Sequence, residues 1–100
     1  ARLPFTYRAV EDGVLGGQRQ AATLDISYHG LLARVPDRLA EHTEVHLELP
    51  LPLVDHVAKG IYARVVKATE RDGMNLAAIE FTAIGEADAA AVRRFVQMLV

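Results

Sequence analysis

Turn-forming residues cut this chain so often that only its last stretch is long and periodic enough for a helix. Glu11-Asp12-Gly13, Gly16-Gly17, His29-Gly30, Pro36-Asp37, Pro50 with Pro52, and Arg71-Asp72-Gly73 separate short runs of β-branched and apolar residues. Short runs between frequent turn signals are the pattern of an antiparallel sandwich or barrel. Six runs qualify as strands: residues 4–10, 19–27, 31–35, 44–51, 60–68 and 75–81. Pro4 and its polar neighbours give the first the character of an edge strand. In the second, Ala22, Leu24 and Ile26 alternate with Thr23, Asp25 and Ser27, so the latter three share a polar face. Gly30 joins it to the third run by a tight hairpin, a place where positive φ is often required. In the fourth, Val45, Leu47, Leu49 and Leu51 alternate with Glu44, His46 and Glu48. In the fifth, Ile61, Ala63 and Val65 share one face. Asp72-Gly73 is a strong hairpin signal between the last two runs.

The period changes at residue 86. Ala91, Phe95, Met98 and Leu99 fall at helical spacing, with Glu86 and Asp88 in the first turn, where carboxylates suit the helix dipole. A helix this apolar has to dock on the sheet system or on a second copy. The fold expected is therefore an antiparallel β-barrel of six strands with a C-terminal α-helix.

Composition narrows the function. The 100 residues are 51% hydrophobic and 24% charged, enough for the core of one domain. There is no cysteine, which excludes disulfides, thiol catalysis and Cys-ligated zinc. A net charge of −2 argues against duplex nucleic acid as partner. No apolar run approaches ~20 residues, so no membrane-spanning helix is expected. The opening residues do not resemble a signal peptide. A cytoplasmic location follows as an expectation, and the missing initiator Met is expected of a piece of a longer protein.

One segment carries chemistry. Asp25, Ser27 and Gly30 form a D-x-S-x-x-G string at the end of the second strand, and Ser27 is the only serine in the chain. A carboxylate acceptor beside a hydroxyl suits the N–H donors on a guanine edge. The bland alternative is a strand end in which Asp25 or Ser27 caps a turn. Tyr28 and His29 sit inside the string, where a ring can pack on a base. No nucleophile elbow is present, and no P-loop lysine follows Gly16-Gly17, so catalysis is not expected. His42 and His46, four apart, run from a loop into a strand and do not make a metal site. His56 carries no signal alone. Arg93-Arg94 fits a solvated helix face.

The six-strand pattern, the D-x-S-x-x-G string and the C-terminal helix together resemble the PilZ domain family over essentially the whole chain. That resemblance implies non-catalytic binding of the bacterial second messenger cyclic di-GMP, with no cofactor, by a regulatory domain acting on a neighbouring domain or partner protein. It implies that Asp25, Ser27 and Gly30 contact a guanine. The family's other motif, R-x-x-x-R in an N-terminal arm that folds over the nucleotide, is matched only in part. Arg2 stands 23 residues before Asp25, where the second arginine is expected. Its partner would precede residue 1. Arg2 as the first arginine fails at Thr6, and Arg8 as the second fails at Pro4. Arg19, on the motif strand, is a weaker candidate, as is His29; Arg34 on the neighbouring strand is another possible contact. The last strand carries Ala78 where the family often has glycine, a change expected to tune barrel packing. Loss of one bidentate arginine costs roughly 3–6 kcal/mol against about −8 kcal/mol for a micromolar ligand. The second function open at this point is a degenerate domain of the same fold that no longer binds nucleotide and serves as a protein-interaction module.

Overall fold

The structure is a computed structural model describing residues 2–99. These form seven strands and one helix: β1 (Pro4–Glu11), β2 (Val14–Leu15), β3 (Arg19–Ile26), β4 (Gly30–Val35), β5 (Glu44–Leu51), β6 (His56–Arg71), β7 (Met74–Ala83) and α1 (Glu86–Met98), with a 3-10 turn at Pro52–Val54. The order β1-β3-β4-β7-β6-β5 closes through a β1–β5 pairing, giving a six-stranded antiparallel barrel. The two-residue β2 is a flap folded back on the end of β1.

Closure changes the status of the first strand. β1 pairs with β3 on one side and β5 on the other, so it is not an edge. Pro4 is tolerated because it is the strand's first residue. β6 also exceeds its sequence signal. Its first part pairs with β5 and its second with β7, and irregularities between Leu47 and Leu49 and between Val65 and Lys67 let it bend around the barrel. The two Asp-Gly turns behave as their chemistry requires. Asp12, Gly13, Asp72 and Gly73 all have positive φ, the geometry of two-residue hairpin loops matched to strand twist.

The alternation in β5 holds fully: Val45, Leu47, Leu49 and Leu51 are all buried. Ile61, Ala63 and Val65 of β6 face them, with Phe5 and Tyr7 of β1. Helix α1 packs against β6, β5 and the 3-10 turn through Ala91, Val92 and Phe95. Its buried stripe is rotated from the one expected. Val92 is in the core, whereas Met98 and Leu99 are exposed. No helix among the described residues is long and apolar enough to cross a membrane.

Candidate functional site

A bulge in β3 arranges the site. Thr23 pairs with Ala33, but Asp25 pairs with Leu32, so Leu24 is an extra residue. The inserted residue reverses the expected facing of Thr23, which is fully buried rather than on the polar side. Asp25 and Ser27 remain exposed together. The buried Thr23 hydroxyl is put to use. The Leu3 amide donates to Thr23 Oγ1 at 2.9 Å, and the Thr23 amide donates to the Leu3 carbonyl at 2.8 Å. This clamp fixes the chain one residue after Arg2. Because β1 runs antiparallel to β3, Arg2 lies on the side of Leu3 that leads toward Asp25. Arg2 is exposed and makes no ion pair among the described residues.

The Ser27–Gly30 turn is tied down locally. The Ser27 amide donates to the Gly30 carbonyl at 2.9 Å, and the Ser27 hydroxyl donates to the same oxygen at 3.2 Å. The His29 amide reaches Ser27 Oγ at 3.4 Å. The Phe81 amide donates to the His29 carbonyl at 2.8 Å, fastening the turn to β7. Asp25 Oδ1 accepts the Ile26 amide at 2.9 Å. Asp25 is exposed and has no ion pair among the described residues.

Gly30 is required for a reason other than the one its turn position suggests. Its φ is not positive. A Cβ there would instead run into the Ile79 carbonyl oxygen and come within 3.1 Å of Glu80 Cα. The glycine lets β4 and β7 approach each other beneath the motif.

Asp25, Ser27, His29 and Gly30 line one open groove of 340 Å³. Ile26 and Leu31 line it beside them, and the other walls were not legible from the sequence: Leu32, Val66, Ala78, Ile79 and Glu80. Only the β4–β7 and β6–β7 registers bring them there, with Gly30 opposite Glu80 and Leu32 opposite Ala78. Ala78 therefore sits on the groove floor, between the core residues Ala77 and Ile79, and is not part of the barrel packing expected of it. Val66 is exposed at the β6 irregularity. Tyr28 is half exposed at the turn beside the groove.

Arg19 is not brought to this groove. It starts β3, six residues from Asp25 and about 20 Å away along an extended strand. There it is ion-paired with Asp37. Arg34 is opposite Ala22 and lines a different groove, with Gln20 and Asn75. His46 packs on Tyr62 across β5 and β6, with ring centroids 4.8 Å apart. His56 acquires a structural role: its Nε2 lies 2.7 Å from Asp88 Oδ1, linking β6 to the first turn of α1. No cluster of three His, Asp or Glu suited to a metal ion occurs among the described residues.

The arrangement offers two exposed carboxylates, Asp25 and Glu80, with a hydroxyl and a histidine ring over an apolar floor. Asp25 and the Ser27 hydroxyl lie on the open side of the groove, beside the His29 ring. The fold has counterparts among known proteins. No curated protein matches the chain. The chain superposes on the PilZ domain of CeSA from a cellulose-synthesizing bacterium with a TM-score of 0.66 at 21% identity, covering 99% of this chain and 93% of that one. It superposes on the PilZ domain of YcgR from Escherichia coli, solved with c-di-GMP, with a TM-score of 0.70 at 15% identity, covering 99% and 88%. At those identities the likeness establishes the fold. The PilZ domain model itself matches residues 2–98, so the chain belongs to the PilZ domain family.

Proposed function

We propose that this domain binds cyclic di-GMP without transforming it, and that binding regulates a neighbouring domain or partner protein. The observation that carries the reading is the single groove shared by Asp25, Ser27, His29 and Gly30. Asp25 accepts the N1 and N2 donors of a guanine, and Ser27 holds the turn while offering a second polar contact. Tyr28 and His29 provide ring surface. Arg2, tethered through the Leu3–Thr23 clamp, closes over the nucleotide from the N-terminal side. Contact between Arg2 and the bound nucleotide is the route by which occupancy reaches a neighbour.

Calorimetric titration of cyclic di-GMP into the chain, with Asp25→Ala in parallel, tests this. The expected result is binding on the order of micromolar, weakened by about a hundredfold or more in the variant through loss of charge-assisted hydrogen bonds. Absence of heat at high protein concentration, or equal binding by the variant, overturns it in favour of an interaction module.

A further inference from the structure

The motif groove has the wrong charge for a nucleotide. Its lining includes two carboxylates, Asp25 and Glu80, and neither lysine nor arginine. Arg64 lies 3.6 Å from Glu80 and offsets only that one. A guanine bound at Asp25 brings phosphodiester charge with it, and that charge needs cations outside this lining.

A second groove supplies them. It has a volume of 250 Å³ and shares Leu32 and Ala78 with the first. Its other walls are Lys67, Thr69, Arg71 and Leu76. Lys67 is opposite Ala78, and Arg71 is opposite Met74, across β6 and β7. From the Gly30–Glu80 pair to Lys67 is therefore two residues along β7, about 7 Å, and one strand across, about 5 Å. The irregularity between Val65 and Lys67 leaves Val66 and Lys67 both exposed, so Val66 lines the first groove and Lys67 the second. Neither Lys67 nor Arg71 forms an ion pair among the described residues. The result is one trough with an acceptor end at Asp25 and Ser27, an apolar floor at Leu32 and Ala78, and a cationic end at Lys67 and Arg71.

We propose that Lys67 and Arg71 form the phosphate-binding wall of the nucleotide site, on the side of the motif away from the N-terminal arm. This rests on the cyclic di-GMP reading above. It assigns two cations on β6 to the phosphodiester charge, across the groove from Arg2.

The test is a titration of cyclic di-GMP into five chains: the native sequence, Lys67→Ala with Arg71→Ala, Lys67→Arg with Arg71→Lys, Asp25→Ala, and Lys59→Ala. Lys59 is the only other lysine, is exposed, and lies outside both grooves. The double variant is expected to bind about ten- to a hundredfold more weakly, less than two full charge-assisted contacts because both side chains are exposed to solvent. Lys59→Ala should match the native chain, and the pair Lys67→Arg with Arg71→Lys should restore most of the affinity. The native chain should lose affinity with added salt more steeply than the double variant. Native-like affinity in the double variant, with Asp25→Ala silent, overturns the phosphate wall and leaves the guanine reading standing. Silence of the native chain removes both.

Discussion

Leu3 and Thr23 hold each other through two hydrogen bonds, 2.9 Å from the Leu3 amide to the Thr23 hydroxyl and 2.8 Å from the Thr23 amide to the Leu3 carbonyl. The first is made by a polar side chain buried where the strand pattern calls for a solvent-facing one. Its consequence is positional. It ends the freedom of the N-terminal segment one residue after Arg2, on the side of β3 that leads to Asp25.

Thr23→Val removes the acceptor and leaves the buried Leu3 amide short of a partner. The expected cost is about 1–3 kcal/mol in urea-induced unfolding. Cyclic di-GMP affinity should fall more than in a surface variant of equal stability, because Arg2 loses its anchor. Unchanged stability would show that the clamp is incidental.

Gly30→Ala places a methyl group against the Ile79 carbonyl, which is backbone and cannot swing aside. Separation of β4 from β7 is expected to cost roughly 1–3 kcal/mol. The Phe81 amide, bonded to His29 in the native chain, should exchange its hydrogen faster. Because the φ here is not positive, neither effect would come from backbone strain, and native stability with unchanged Phe81 exchange would contradict the close approach.

Asp88→Ala breaks the contact to His56 and a longer one, 3.4 Å, from the Gly60 amide. It also removes a carboxylate from the first turn of α1, where the helix dipole favours it. With side-chain exposures of 30% and 18% for His56 and Asp88, a loss of about 1–2 kcal/mol is expected. Thermal melts followed at the helix and barrel separately should show α1 loosening first. Coincident, unshifted melts would rule the latch out.

Tyr7 gives an alkaline signature. Burial, with the Asp37 carboxylate adding to it and nearby Arg19 opposing, raises its pKa above the ordinary value of 10.0. The folded state therefore favours the protonated phenol. Its contribution to stability is complete below pH 10 and is lost as pH rises from there through the folded-state pKa. Tyr7→Phe should flatten that alkaline loss. At neutral pH it should be neutral or stabilising, because the buried hydroxyl makes no aligned hydrogen bond among the described residues. Tyrosinate absorbance identical for all three tyrosines would contradict the shift.

The barrel was legible because its strands alternate cleanly and its hairpins carry Asp-Gly turns whose positive φ few other pairs accept. Asp25, Ser27 and His29 were legible because they lie within one short strand end and turn. Val66, Ala78 and Glu80 were not, since they join the groove only through registers spanning dozens of residues. Thr23 was misplaced for a local reason. A one-residue bulge reverses a strand's facing, and nothing in Thr23-Leu24-Asp25 announces it. Closure of β1 on β5 was hidden likewise, because Pro4 looks the same on an open edge as at the first position of a closed strand.

Amide chemical-shift mapping on the labelled chain, titrated with cyclic di-GMP, addresses the site most directly. The perturbations should concentrate at Arg2 and Leu3, at residues 25–32 on β3, the turn and β4, and at residues 66–71 and 76–80 on β6 and β7. The end of α1 around Met98 and the Val14–Leu15 flap should stay still. Perturbations confined to those outlying elements, or none anywhere, would contradict a nucleotide site built on Asp25 and Ser27.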